Sequence, residues 1–428
     1  RYEEVAPAHR ETYAWIFSQP SASAGWSDYR AHLVHNVSTP YFINGKAGSG
    51  KSTLMKYIVG HETTKKCLAQ WALSDNKELI VVKFFFWNLG TPLQKSASGL
   101  LRALLYSVLK EREELVPAVF PSIYQDWNSG FAEPHDTEVR AAWRCLLERS
   151  KSFLKIAIFI DGIDEFEGDD SDLINFIHSL ASLNVKVVVS SRPINTALEG
   201  FRNCPQLRLQ DLTKRDMEIY IRETLTKNAR MVQFSKFYPH EATKLVQEIR
   251  EKADGVFLWV RLVVRLLIDG LEAGDNAEDL QEKLRLLPGD LRKLYRQMLG
   301  KMSDQYQAQA ASIFQLLQAW KLIDCNPLGV LTLHFALQKP SHDLQMPAYP
   351  LDLDLLNFHY AQMSAQIRSR CCGLLEERLG NDHTVDYLHR TVAEFLTSDD
   401  VILEMQQTRI ADFDPIEHLI SACLSTIK

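Results

Sequence analysis

Residues Gly45 to Ser52 read GKAGSGKS, and this spacing is built for holding phosphate. Glycines at positions 45, 48 and 50 let backbone N–H groups turn inward without side-chain clashes, making a concave nest for anionic oxygens. Ala47 and Ser49 are small enough to share that loop. Lys51 supplies one long mobile cation that reaches the outer phosphates. Ser52 offers a hydroxyl suited to a hard cation such as Mg²⁺, and Thr53 follows it. A second group lies more than a hundred residues on. Ile156-Ala-Ile-Phe-Ile160 is a buried apolar run ending in Asp161, and the chain continues Gly162-Ile163-Asp164-Glu165. Asp161 is placed to hold the metal, and Asp164 and Glu165 to orient or activate a water. Which of those two matters more is open. Val185 to Val189 then leads through Ser190-Ser191 to Arg192. A guanidinium there could sense a terminal phosphate or pair with a nearby acid.

Such residues need a parallel sheet beneath them. Tyr41-Phe-Ile is a short strand running into the glycine loop, and the segment from Lys51 carries Leu54, Met55 and Ile58 on one helical face. Leu79 to Trp87, apolar except Lys83, and the buried-type runs Ile156 to Ile160 and Val185 to Val189 read as strands covered on both faces. Residues 96 to 115 read as a helix. Strands alternating with helices predict an α/β fold with a parallel sheet and helices on both faces. Residues 2 to 37 read as a helical pattern and then a Ser/Ala/Gly-rich loop.

After residue 205 the strand pattern fades. Thr213 with Asp216 reads as a helix start, and 242–271, 277–287 and 290–302 read as helices. Helices near 306–320 and 359–371 precede β-type runs Leu374 to Arg378 and Val385 to His389. Gly380-Asn381-Asp382-His383 is the turn signal between them. Helices followed by a hairpin predict a winged helix.

The 428 residues suffice for two to four domains. Lys and Arg total 48 against 54 Asp and Glu, so a net charge of −6 gives no global electrostatic reason to bind nucleic acid. The seven cysteines show no CxxC or Cys/His metal spacing, which points to reduced thiols in a cytoplasmic protein. Gly255 to Leu271 is interrupted by Arg261 and Arg265, so no membrane span is expected. Asn76-Lys77-Glu78-Leu79 fails the guanine-reading pattern at its last position. With Arg first and a helical pattern at Lys428, the chain reads as a fragment.

The set GKAGSGKSTLMKYI, FFFWNLGTPLQKSASGLLRALLYSVL, IFIDGIDEF and VVVSSRP resembles the fungal NACHT-type P-loop NTPases, which are STAND signalling ATPases of the NOD-like-receptor kind. LQDLTKRDMEIYI, ADGVFLWVRLVVRLL, LPGDLRKLY and YLHRTVAEFL extend the resemblance from about residue 2 to about residue 400. It implies a lead helix and linker at 1–38, an NTPase core at 39–205, a helical domain at 206–300, a winged helix at 301–400, and the start of a C-terminal helical region at 401–428. It implies ATP or ADP with Mg²⁺ as ligands, Ser52 and Asp161 at the metal and Arg192 as sensor. It implies that His389 contacts the ADP phosphate; without the resemblance His389 reads as a core or hairpin histidine. The helical domain of the family often carries Gly-x-Pro with the proline against adenine. Here Gly255-Val256-Phe257 places Phe257 there, and an aromatic ring can stack on a base. The activity implied is a nucleotide switch with slow hydrolysis and self-association, flanked by effector and sensor modules, in fungal non-self recognition, innate immunity or regulated cell death. A turning-over ATPase that remodels a partner and a nucleotide-stabilised scaffold are the alternatives.

Overall fold

The four strand-like runs and one short strand beyond residue 205 form one parallel sheet. The strands are β1 (Tyr41–Asn44), β2 (Glu78–Phe85), β3 (Leu154–Asp161), β4 (Val185–Ser191) and β5 (Gln206–Arg208), in the order β2–β3–β4–β1–β5. The computed structural model describes residues 1–9, 12–21, 25–125, 133–323, 326–338, 340, 353–378, 383–408 and 413–427. Every residue of β1, β3 and β4 is buried, as continuous apolar runs require. The order inserts β4 between the strand that feeds the phosphate loop and the strand that ends in Asp161. Register then aligns the strand ends: Asn44 is opposite Ser191 and Arg208, and Phe85 is opposite Asp161.

Helices cover both faces. Helix α1 (Lys51–Gly60) and α2 (Glu62–Leu73) bring Leu54, Met55, Ile58, Leu68 and Trp71 against Tyr41, Ile43, Phe159 and Val188. Helices α3 (Ala97–Glu111), α4 (Asp136–Ser150) and α5 (Asp170–Leu180) pack Leu100, Leu104, Trp143, Leu146 and Ile177 against Phe42, Ile158 and Val187. The period-two alternation of Tyr41, Phe42 and Ile43 sends successive side chains to opposite layers. Each such fully buried side chain contributes about 1.5–3 kcal/mol. The phosphate loop is thus fixed at its entry by two cores and at its exit by one.

The N-terminal stretch departs from the helical expectation. Residues Tyr2–Glu4 and Ala14–Phe17 are single 3₁₀ turns, and Tyr13 between them takes a left-handed φ of 65°. The apolar residues Val5, Ala8, Tyr13, Trp15 and Ile16 recur because they pack along the α1 side of the sheet, not because they share one helix face. An α-helix does form at Tyr29–Val34, inside the stretch expected to be loop, with Asp28 accepting from the Ala31 N–H as its cap.

Beyond β5 the first compact unit, which ends at Ala277, is helical. Helix α6 (Lys214–Thr226) starts after Thr213, but Thr213 makes no side-chain cap. Asp216 is buried and accepts instead from the Tyr13 N–H (3.2 Å) and Trp15 Nε1 (2.8 Å). The expected single helix 242–271 is two, α7 (Pro239–Ala253) and α8 (Phe257–Ala273). Asp254 and Gly255 break it at φ 46° and 79°. A Cβ at Gly255 would lie 2.4 Å from Gln210 Cβ, so only glycine allows this close crossing.

The second unit, Glu278–Lys428, begins inside the stretch read as the helical domain 206–300. It contains α9 (Leu291–Gly300), α10 (Asp304–Ile323), α11 (Val330–Ala336) and α12 (Leu353–Arg370). Strands β6 (Leu328–Gly329), β7 (Leu375–Arg378) and β8 (Thr384–Tyr387) form an antiparallel sheet in the order β6–β8–β7. This helix-then-hairpin arrangement is of winged-helix type. The expected turn residues Gly380, Asn381 and Asp382 lie outside the described residues. Helix α13 (Arg390–Leu396) follows, tied to α9 by the buried Tyr295–Thr391 hydroxyl pair at 2.8 Å. Among the described residues no helix is long and apolar enough to cross a membrane.

Candidate functional site

The loop Gly45–Gly50 leaves β1 and enters α1, with Gly48 at φ 71° and Gly50 at φ 96°. A Cβ at Gly50 would lie 2.4 Å from the Tyr13 hydroxyl, so the loop's exit passes directly beneath the N-terminal segment. Ala47 lies in the loop, and Ser52 and Thr53 open the first turn of α1. Lys51 Nζ donates to the carbonyls of Gly45 (2.7 Å) and Lys46 (3.1 Å). Desolvation of this ammonium draws its pKa down to about 8, opposed by Asp164, Asp161 and Glu165 and reinforced by Arg192. Those four residues, all more than a hundred positions beyond Lys51, therefore act on one point in space.

Asp161 ends β3 and is fully buried. Its Oδ1 accepts from Ser190 Oγ, which itself accepts from the Gly162 N–H at 3.1 Å. Burial raises the Asp161 pKa, while Arg1, Ser190 and the Ser52 hydroxyl oppose the rise. The Ser52 hydroxyl and the Asp161 carboxylate thus face each other. Ser190 is a residue the motif reading quoted but gave no role; its signal was a hydroxyl at the end of a buried strand.

The acidic pair divides. Asp164 accepts from the Arg192 N–H at 2.9 Å and pairs with Arg192 Nε at 3.1 Å, using both oxygens. Of the two expectations for Arg192, pairing with an acid is the one seen here. Glu165 is 6 % exposed and binds Arg1 and the Asn88 N–H (3.2 Å), both through Oε2. Arg1 belongs to no motif, and nothing in its sequence setting marked it.

Phe257 opens α8 with its ring edge-on to Tyr220 at 5.2 Å between centroids. The next N–H, that of Leu258, donates to the Gly48 carbonyl at 3.0 Å. Lys46 pairs with Asp254 and also donates to its carbonyl at 3.2 Å. The first turn of α8 therefore rests on the phosphate loop. His389 lies in the second unit as the N-cap of α13: its Nδ1 accepts from the Thr391 N–H at 3.1 Å. This corrects the expectation of a strand reaching His389, since β8 ends at Tyr387.

The site fits a nucleotide and a magnesium ion. Buried polar atoms cluster in sequence around the strand ends without hydrogen-bond partners: Ser49 Oγ, Asp161 Oδ2, Ser191 Oγ, Gln210 Oε1 and both amide atoms of Asn44. Unsatisfied buried groups cost about 1–3 kcal/mol each, and phosphate, metal or water would relieve that cost. Among the described residues no group of three His, Cys, Asp or Glu could hold a metal unaided. One serine and one aspartate are what Mg²⁺ needs from protein when phosphates and water complete its shell.

Two family models match separate parts of the chain. "Nephrocystin 3, N-terminal" matches residues 11–192, and a domain of unknown function (DUF7791) matches residues 301–428. No curated protein matches the chain. Among solved structures, the chain is similar to a STAND protein with a tetratricopeptide repeat sensor from Pyrococcus horikoshii. That similarity has 15% identity and a TM-score of 0.37, over 97% of this chain and 50% of that one. It is also similar to the ORC1 protein of Aeropyrum pernix in complex with DNA, at 12% identity and a TM-score of 0.32, over 91% and 97% of the two chains. Drosophila ORC bound to DNA gives 14% identity and a TM-score of 0.35, over 89% and 93%. The sheet order, the glycine loop between β1 and α1, and the carboxylate at the end of β3 make the first unit a P-loop NTPase fold.

Proposed function

We propose that the chain is an ATP/ADP-dependent switch of the NACHT/STAND class that hydrolyses ATP slowly with Mg²⁺. One observation carries the reading: Lys51, Asp161, Asp164, Glu165 and Arg192 meet at the loop on which the first turn of α8 rests. A change in the loop's ligand is felt by a helix that the Gly48–Leu258 bond couples to it. Lys51 would hold the outer phosphates, and Ser52 and Asp161 the metal, whose charge offsets that of the phosphates when bound. Phe257 stands beside the loop as the adenine-side aromatic. Glu165 takes the role of orienting water, because Asp164 is tied on both oxygens to Arg192. The division into lead segment 1–38, core 39–205, helical domain 206–300, winged helix 301–400 and tail 401–428 belongs to this proposal. So do self-association, effector and sensor modules, a cytoplasmic setting and a part in fungal non-self recognition or cell death. These rest on the resemblance in IFIDGIDEF, VVVSSRP and YLHRTVAEFL.

The test is the nucleotide carried through purification, identified by mass spectrometry, with single-turnover hydrolysis alongside. Retained ADP and slow turnover support a switch. Rapid ADP loss with steady turnover means a remodelling ATPase, and no binding overturns the proposal.

Three variants refine it. Glu165→Gln should keep ATP affinity within about three-fold and slow single-turnover hydrolysis by ~100-fold or more, the usual scale for a lost water-orienting base. Asp164→Asn should loosen Arg192 and slow hydrolysis less; equal rates in both variants and wild type would remove the acidic pair from the chemistry. His389→Ala should cost roughly 0.5–2 kcal/mol of second-unit stability through loss of the α13 cap, read by thermal melting. If the phosphate role also holds, stopped-flow ADP release rises about ten-fold, the factor for one charge-assisted bond. Unchanged release leaves His389 a cap alone.

A further inference from the structure

The contact that no motif explains is Arg1 on Glu165. We infer that Arg1 is a positioning residue that restrains Glu165, so that the segment 1–5 sets the rate of hydrolysis. This rests on the water-orienting role given to Glu165 above.

The side chain of Arg1 is only 14% exposed. Its Nη1 donates to the Phe86 carbonyl at 2.5 Å and pairs with Glu165 Oε2. Phe86 is the first residue after β2, and its N–H donates to the Asp161 carbonyl at 3.0 Å. Arg1 therefore joins the exit of β2 to the acidic turn after β3. Its charge also acts on Asp161 and Asp164. Oε2 of Glu165 already receives the Asn88 N–H, and with Arg1 it carries two donors. Two donors on that oxygen draw charge off the carboxylate and fix its plane, which makes Glu165 a weaker acceptor for the hydrogen of an attacking water.

The segment that carries Arg1 is fastened to the two elements that flank the site. Lys56 on α1 donates to the carbonyls of Glu3 (3.0 Å) and Val5 (2.7 Å). Tyr2 stands edge-on to Phe85 at 5.2 Å between centroids, and Lys83 Nζ lies 3.3 Å from the Tyr2 ring centroid. None of these contacts touches the phosphate loop. Lifting the segment would take the Arg1 donor from Glu165 and leave the residues proposed for phosphate binding in place. Binding and hydrolysis can in this way be set separately.

The experiment compares wild type with Arg1→Ala, Arg1→Lys, Lys56→Ala and Arg1→Ala/Glu165→Gln in the full chain. Arg1→Ala should raise the single-turnover rate about ten-fold, the scale of one charge-assisted bond, with ATP and ADP affinities unchanged. Arg1→Lys should restore most of the restraint. The double variant should be as slow as Glu165→Gln. Lys56→Ala, which keeps Arg1 but loosens its anchor, should raise the rate by a smaller factor. Without nucleotide, amide exchange at residues 86–90 and 162–167 should speed up in Arg1→Ala while that at 45–52 does not. A rate at or below wild type in Arg1→Ala with affinity intact overturns the inference, and so does a rise that persists in the double variant. Should Arg1→Ala melt early, Lys56→Ala decides alone, an unchanged rate and unchanged exchange counting against restraint. Failure of wild type to bind ATP removes the functional reading itself; binding with no response to any of these variants removes only the restraint.

Discussion

Lys51→Ala is expected to weaken ATP binding by about ten- to a hundred-fold, the range for losing a hydrogen-bonded cation on a charged ligand. In the free protein the ammonium rests on two loop carbonyls, at 2.7 and 3.1 Å, and burial holds its pKa down to about 8. Phosphate oxygens are better partners than carbonyls, because they bring the opposite charge into a desolvated place. The lowered pKa adds a pH dependence. Below pH 8 the lysine is already charged and nucleotide finds its counter-ion ready. Above pH 8 the free protein loses that proton, and binding must take it back up. ATP affinity should therefore fall as pH rises from about 8, with proton uptake on binding. Lys51→Arg, charged throughout, should flatten that profile even where geometry lowers its affinity. Isothermal titration in buffers of different ionisation enthalpy measures both. Wild-type affinity in Lys51→Ala, or a flat profile in wild type, would remove the lysine from the site.

How far the sequence reveals this site depends on where each residue's partners lie. The glycine loop, Asp161 and the strand leading to Arg192 were legible because each is a local device: a strand delivers a residue to a sheet edge whatever surrounds it. Strand limits were less so. The apolar reading starts β3 at Ile156, yet Leu154 and Lys155 belong to it. Lys155, outside that reading, is fully buried, donating to the Trp71 carbonyl and pairing with Asp75 at 2.8 Å each, above the Trp71 ring. A lone lysine cannot announce that partners 80 residues away will pay its desolvation. The same holds for Asp216, which stands in the first turn of α6 as the helix-start pattern reads but whose side chain fastens Tyr13 and Trp15. Arg1 and Glu165 meet across 164 residues with no shared motif. Long-range polar pairs escape a reading built on spacing, because spacing describes only what one element presents.

Asp161→Asn should act in opposite directions on stability and on function. In the free protein Asp161 is completely buried, and its Oδ2 has no hydrogen-bond partner. Burial raises its pKa above its ordinary value. A carboxylate raised in the folded state stabilises the fold only while protonated, below its unfolded pKa. That stability is lost as pH rises through the folded value, so at neutral pH the ionised group costs stability. Asparagine keeps an oxygen to accept from Ser190 and carries no charge. The variant should therefore melt higher than wild type at pH 7 without nucleotide, by about 2–4 °C if roughly 1 kcal/mol is recovered. As pH falls through its raised folded value the gain should shrink, because the wild-type carboxyl is then neutral too. Function runs the other way. The same unpaired oxygen is the one a divalent cation would take, beside the Ser52 hydroxyl, and an amide oxygen is a far weaker ligand for it. Magnesium should raise the melting temperature of wild type with ATP well above that with ATP alone, and Asp161→Asn should lose most of this increment along with its hydrolysis. A destabilised variant whose ATP-bound form still responds fully to magnesium would show that Asp161 is a structural carboxylate. A variant stabilised at neutral pH and indifferent to magnesium is the outcome that a metal-holding aspartate at the end of β3 requires.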